Sequence, residues 1–244
     1  MKKVIAYQKL ATSSLVALLC LSTAAQAQES ANPKLDACVK DEQIALTAKG
    51  AGLGAMAGLG ASLFSSNKED ALKKAAIGAA LGGAAGFATA YFTAVDNCFK
   101  KDPSLIPESQ IERTQDYAQV KKSAKYKPSQ GIRAEATKLE MPGSVKAGTM
   151  LDVVSFFQVL TPDGAETPVT IERKLFAIVD GKETQVTFSG KSSEQRTLPP
   201  GGHKDTAHLP IPAKAQAGTR YRVEFSISAD GKPASTVQGT VTVE

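Results

Sequence analysis

The sequence predicts an α+β protein with separate domains, in which an antiparallel Gly/Ala-rich helical hairpin precedes an all-β sandwich. Two observations support this division. Between residues 50 and 95 small residues recur at intervals of four, as on one side of a helix, whereas beyond residue 131 apolar and polar residues alternate, as in strands. We therefore expect four segments, at residues 1–27, 28–101, 102–130 and 131–244.

The first 27 residues have the order of a secretory signal peptide. Three lysines precede an apolar run at residues 10–21, and Ala25-Gln26-Ala27 provides a small-x-small cleavage site. A run of about a dozen residues is short for a membrane anchor. Lipidation at Cys20 is an alternative, but Leu19 stands where a small residue is expected. We predict cleavage after Ala27 and export to the periplasm or cell envelope.

Most of the positive charge belongs to this export signal. Its removal takes away three lysines and no acidic residue, which leaves 26 basic against 24 acidic side chains. So small an excess gives no electrostatic argument for nucleic acid as a partner. The partners we expect are membrane lipid, further copies of the chain, and an unidentified protein that contacts the sandwich.

Two cysteines, Cys38 and Cys98, remain in a compartment that favours oxidation. Lys68 lies thirty residues from each, so two antiparallel helices that reverse there bring both cysteines to the same height. Ser66 and Glu69 have the spacing of a capping box and would begin the second helix. We predict a disulfide between Cys38 and Cys98, with two free thiols as the alternative.

The segment between the cysteines contains two series of small residues. They are Gly50, Gly54, Gly58 and Ser62, then Gly78, Gly82, Gly86 and Ala90. Each series forms a stripe on a helix, opposite the bulky side chains. Glycine is about 1 kcal/mol less favourable than alanine inside a helix, and close helix packing would offset that cost. The bulky faces would meet lipid or another protein layer, and a soluble hairpin packed in an oligomer or on the sandwich is the alternative.

These two glycine series and the short polar turn resemble the glycine-zipper, two-transmembrane families of bacterial envelope proteins, over about residues 44–96. The resemblance implies an outer-membrane or periplasmic location and a role in envelope integrity. This chain differs from those families because it lacks a convincing lipidation motif and carries the flanking cysteines.

Residues 102–130 have the composition of a charged linker, interrupted by Pro103 and Pro107. Near its end, lysines at positions 121–127 would contact anionic headgroups or simply remain solvated. Beyond it, strand-like runs are separated by tight-turn sequences such as Asp180-Gly181 and Asp230-Gly231. The runs are 132–139, 150–160, 169–179, 184–188, 221–228 and 236–243. Six to eight short strands predict an antiparallel sandwich.

The residues around Tyr221 refine this prediction. Ala217-Gly218-Thr219-Arg220-Tyr221 resembles the turn into a late strand of an immunoglobulin-like domain, in which a tyrosine hydroxyl pins a corner. The resemblance implies an immunoglobulin-like sandwich with Tyr221 at that corner. Another all-β topology is the alternative.

The sequence predicts no catalytic, metal or cofactor site. Its two histidines, His203 and His208, flank Asp205, but a separation of five places them on opposite faces of a strand and matches no known ligand spacing. No nucleophile elbow, phosphate loop or dinucleotide fingerprint is present. Three functions follow: a structural envelope protein, a soluble secretion, adhesion or assembly factor, and a membrane-inserting effector.

Overall fold

The computed structural model describes residues 32–48 and 86–244. Several sequence predictions therefore lie outside the described residues and stay predictions. These are the signal peptide at 1–27, the packing positions Gly50, Gly54, Gly58, Ser62, Gly78 and Gly82, and the helix cap formed by Ser66 and Glu69.

Two helices precede the sandwich. Helix α1 is Pro33–Ala48, and the described part of α2 is residues 86–101. Asn32 caps α1 by accepting a hydrogen bond from the Leu35 backbone N–H, and it donates to the Leu105 carbonyl beyond the end of α2. The helices are therefore antiparallel. Within the described part of the chain, no helix is both long and apolar enough to span a bilayer.

The rest of the described chain is mostly strand. The strands are β1 Gln110–Gln115, β2 Arg133–Glu140, β3 Ser144–Val145, β4 Met150–Leu160, β5 Thr167–Val179, β6 Lys182–Val186, β7 Ser193–Leu198, β8 Gly201–Pro210, β9 Arg220–Ala229 and β10 Ser235–Val243. A short helix, α3, is Tyr117–Ser123, and single 3-10 turns occur at Pro103–Leu105 and Pro128–Gln130.

The strands form two sheets. One has the order β1-β8-β4-β2, and the other has the order β3-β10-β9-β5-β6, with β7 also pairing with β5. The pairs are antiparallel except β3 with β10, which run parallel. Along β5, buried and less buried residues alternate, so one face of the strand enters the core. The sandwich prediction is confirmed, and the finer immunoglobulin-like assignment stays a prediction.

The predicted linker at 102–130 is wrong, because part of it belongs to the sandwich. Strand β1 pairs with β8 from Gln110 opposite Thr206 onward. A Cβ at Gly201 would lie 2.6 Å from the Gln115 carbonyl, so glycine is required where β1 ends against β8. Helix α3 buries Val120 beside other core residues. The polar composition misled the prediction because β1 is an edge strand with largely exposed side chains.

The prediction of separate domains is also wrong for the described residues. Side chains of α1 and α2 share one buried cluster with inward-facing residues of both sheets. That cluster includes Leu35, Val39, Tyr91, Phe92, Val95, Leu151, Leu175, Leu209, Tyr221 and Val223. The bulky side of α2 does meet another protein layer, and that layer is this chain's own sandwich. Burial of these side chains joins the elements because it removes apolar surface from water.

Candidate functional site

The two helices and the sandwich meet at a buried apolar junction. We call α1 and α2 together the helical base. Phe92 lies at its centre and is 0% exposed. Its ring packs edge-to-face against Tyr221, with centroids 5.6 Å apart, and against Tyr91, with centroids 5.3 Å apart. Such pairs contribute about 0.5–1.5 kcal/mol beyond the burial of their area.

The two tyrosines at this junction are held in the neutral phenol form. Burial raises the pKa of Tyr91, with a smaller contribution from Asp36, and burial alone raises the pKa of Tyr221. Tyr221 therefore acts here through its ring, which packs against Phe92. Its corner hydrogen bond stays a prediction.

A covalent and a polar link tie the helical base together. The structure contains the predicted Cys38–Cys98 disulfide, with the two Cα atoms 6.0 Å apart. One turn further along α1, Glu42 is buried and accepts hydrogen bonds from Asn97 at 3.1 Å and from Lys101. These contacts hold the two helices side by side where they enter the core.

The direction of α2 shows toward which end of the sandwich residue 86 points. The ring of Phe99 lies 3.9 Å from the position of a Cβ at Gly190, whereas Phe92 contacts Tyr221 near the end of the sheet. Residue 86 is six residues beyond Phe92, a helical rise of about 9 Å. Because α1 is antiparallel, residue 48 points the same way. We call this part of the sandwich, which includes the β5–β6 turn, the helix end.

The structure describes two of the eight predicted small-residue packing positions. Gly86 and Ala90 belong to α2, and both are buried. The other six positions of the two series lie outside the described residues. The structure therefore places two members of one series in the part of α2 that points toward the helix end.

A buried ion pair crosses the sandwich between the two sheets. Arg173 on β5 is 3% exposed and Asp205 on β8 is 1% exposed. The guanidinium donates to both carboxylate oxygens, at 2.8 and 2.9 Å, in a bidentate arrangement. It also donates to Glu194 at 2.9 Å and to the Lys191 carbonyl at 2.7 Å. Arg173 therefore fixes the connection between β6 and β7 as well as the spacing of the sheets.

The charge states of this cluster follow from its contacts. Burial acts to lower the pKa of Arg173, but the contacts with Asp205 and Glu194 outweigh it and raise that pKa. Burial acts to raise the pKa of Glu194, but hydrogen bonds from Arg173 and Arg196 lower it overall. These shifts keep Arg173 and Glu194 ionised at neutral pH. Sequence reasoning missed it, although Arg173 falls on the inward side of β5 between Ile171 and Leu175.

The two histidines lie on opposite faces of β8, as their spacing predicts. His203 is buried, stacks on Phe157 with centroids 5.2 Å apart, and places its Nε2 2.8 Å from the Pro199 carbonyl. Burial lowers the pKa of His203. On the other face, His208 Nδ1 is 2.7 Å from a carboxylate oxygen of Asp152. Across residues 32–48 and 86–244, no three His, Cys, Asp or Glu side chains are grouped to hold a metal.

Two of the clefts among the described residues have charged or polar side chains in their lining. The larger, about 400 Å³, separates β2 from the β9–β10 turn. Its charged side chains already have partners, because Arg133 contacts Glu135 and Lys232 donates to the Gln130 carbonyl. The smaller, about 20 Å³, is lined by Phe99 and Ser189 and has room for about one water molecule. The smaller cleft is also lined by His208, and within the described residues the buried Ser189 hydroxyl has no hydrogen-bond partner.

Comparisons with known proteins give no family for this chain. No family model matches the sequence, and no curated protein is similar to it. The chain is similar in structure to the sporulation control protein Spo0M of Bacillus subtilis, at 13% identity and a TM-score of 0.31, over 47% of this chain and 49% of that one. This chain thus spans about half the length of Spo0M.

Two further solved structures are similar over a comparable share of the chain. The CARDB domain of a Pyrococcus furiosus protein, in complex with di-metal ions, has 16% identity and a TM-score of 0.30, covering 46% of this chain and 91% of that one. A conjugative transposon lipoprotein from Bacteroides eggerthii has 10% identity and a TM-score of 0.26, covering 45% and 95%. These likenesses are too distant to indicate a function.

Proposed function

We propose that the chain is a non-enzymatic protein of the bacterial cell envelope that associates with a membrane, or with further copies of itself, through residues 49–85. The sandwich would then present a surface for protein interaction or envelope integrity. The observation that carries this proposal is the helical base, which joins the Gly/Ala-rich segment directly to the sandwich core. An export signal at 1–27 is part of the proposal and is tested by sequencing the mature N-terminus.

The helical base supports a stable attachment of the segment. Residues 48 and 86 both point toward the helix end, and the Cys38–Cys98 disulfide joins the two helices that carry them. Between these points the sequence repeats Gly-xxx-Gly, which in membranes allows close helix packing. A segment fixed at both ends by a rigid domain loses less conformational freedom when it associates.

The structure also limits how the segment would meet a membrane. Residues 88–98 are used in the sandwich core, so the uncharged part of the second arm is reduced to 75–87. Thirteen helical residues would rise about 20 Å, which is less than a hydrocarbon core of about 30 Å. This favours shallow insertion or self-association over two complete spans.

The same observation favours a second candidate. Because the bulky side of α2 packs on the sandwich, the segment would also suit a soluble periplasmic or secreted assembly factor whose glycine stripes pair between copies. In that case the chain would form oligomers without lipid. A membrane-inserting effector is the least supported function, since the sequence carries no separate signal for release from the envelope.

Fractionation separates the two main candidates. A membrane-associated chain should remain in the pellet after alkaline carbonate extraction, whereas a soluble assembly factor should be released. Gly54→Leu with Gly82→Leu should prevent the close packing in either case, while Gly54→Ala with Gly82→Ala keeps the residues small and serves as the control. Quantitative recovery of the wild-type chain in the soluble periplasmic fraction would contradict membrane association.

We also propose the finer, immunoglobulin-like assignment of the sandwich. Its support is the strand arrangement, in which β2, β4 and β8 are neighbours in one sheet and β10, β9 and β5 are neighbours in the other. Tyr221, at the start of β9, occupies the position expected for a corner tyrosine. Replacement of Tyr221 by Phe keeps the ring contact with Phe92 and therefore isolates the hydroxyl. Unchanged stability of that variant would contradict the corner.

A further inference from the structure

We propose that the helix end of the sandwich is a cationic surface that binds anionic phospholipid headgroups. This proposal rests on the membrane association proposed above and names the lipid class that the chain would prefer. Four side chains carry it. They are Lys146 after β3, Lys182 at the start of β6, Lys214 in the loop between β8 and β9, and Arg220 at the start of β9.

The strand register places these four side chains at one end of the fold. Arg220 pairs with Ile178 near the end of β5, and Lys182 pairs with Val179 in the adjoining turn. The loops that hold Lys146 and Lys214 are bonded to each other, because the Gly148 N–H donates to the Ile211 carbonyl at 3.2 Å. The cations thus lie at the helix end, toward which residues 48 and 86 point.

Their charges are available to a partner. All four side chains are exposed, and none of them takes part in an ion pair with another described residue. By contrast, Arg222, two residues beyond Arg220, forms ion pairs with two glutamates. The turns and strand ends that bear the four cations also hold Asp180 and Glu244, so the described surface keeps an excess of positive charge. Exposed lysines are attracted to anionic leaflets within a Debye length.

The lysine run at 121–127 lies at the opposite end. Tyr117 of α3 donates a hydrogen bond to the Thr161 carbonyl, and Thr161 precedes β5, whereas Lys182 follows it. The thirteen residues of β5 separate the two ends by about 40 Å. Lysines near α3 therefore lie far from the helix end, and their replacement supplies a matched control.

The test is cosedimentation of the full chain, purified without reductant, with vesicles of phosphatidylcholine alone or with one third phosphatidylglycerol. We expect tighter binding to the vesicles that contain phosphatidylglycerol, and weaker binding as salt rises. Lys146→Gln, Lys182→Gln and Lys214→Gln together should lower this affinity by about fivefold per cation, on the order of a hundredfold. Adding Arg220→Gln should lower it again.

The control variant carries Lys122→Gln, Lys125→Gln and Lys127→Gln, which removes the same charge from the other end. It should bind phosphatidylglycerol vesicles as the wild type does. Equal losses in both triple variants, or equal wild-type binding to both vesicle types, would overturn the cationic surface and leave membrane association standing. Wild-type protein that binds neither vesicle type would overturn membrane association together with the cationic surface. Circular dichroism and the intact disulfide confirm that each variant is folded.

Discussion

Replacement of Arg173 by methionine tests whether the ion pair between the sheets holds the sandwich together. Methionine keeps the length of the side chain but leaves the Asp205 carboxylate buried without its bidentate partner. Removal of one partner of a buried pair typically costs about 3–5 kcal/mol, because an uncompensated charge stays in the interior. We expect the free energy of unfolding to fall by that amount.

A second substitution separates the charge from the packing. Asp205→Leu in the Arg173→Met background removes the orphaned carboxylate and leaves two apolar side chains between the apolar clusters. Glu194 keeps Arg196 as a partner at 2.8 Å. The double variant should therefore regain the roughly 3–5 kcal/mol lost in Arg173→Met, because apolar replacement of a whole buried pair is often neutral or stabilising.

Equilibrium unfolding in urea, followed by circular dichroism with the disulfide intact, measures these changes. Lys138→Met is the control, since Lys138 pairs with Glu140 at the surface and such pairs contribute about 0–1 kcal/mol. If Arg173→Met costs no more than Lys138→Met, or if the double variant is the less stable of the two, the argument from buried charge is refuted.

Three further predictions follow from the described contacts. Cys38→Ala with Cys98→Ala should lower the free energy of unfolding by about 4 kcal/mol, because the disulfide closes a 60-residue separation. Peptide mapping of the wild-type chain without reductant should recover Cys38 and Cys98 in one linked pair of peptides. Phe92→Ala should cost about 3–5 kcal/mol in urea unfolding, and Phe87→Ala should cost less because Phe87 is only half-buried. The free energy of unfolding should fall as the pH drops below about 6.5, because burial lowers the pKa of His203 in the folded chain and the unfolded chain therefore binds the proton first. His203→Gln should flatten this dependence between about pH 7.5 and 5.5.

The sequence predicted those features that depend on local pattern. Equal distances from Lys68 paired Cys38 with Cys98, because helical rise converts sequence distance into height. Alternation and turn residues located most strands, including β4, β5 and β9, since a half-buried strand exposes every second side chain. The separation of five between His203 and His208 likewise placed them on opposite faces.

The features that were missed depend on which surfaces meet. Strand β1 has exposed, polar side chains on an edge, so its composition matches that of a linker, and only its backbone pairing with β8 distinguishes the two. Tyr91, Phe92 and Val95 form an apolar helix face. Helical periodicity predicts such a face but does not distinguish whether lipid or protein covers it. Arg173 has no local sequence signal for its role, because its partner Asp205 is 32 residues away.

The shared core also makes the folding of the helices depend on distant strands. Leu35 and Val39 belong to the same buried cluster as Val241 and Val243, although the whole sandwich separates them in sequence. During synthesis the apolar side of the helical base therefore stays incompletely covered until β10 has been made, whereas Cys38 and Cys98 can pair earlier. Deletion of β10 would expose apolar surface of the helices as well as of the sheet.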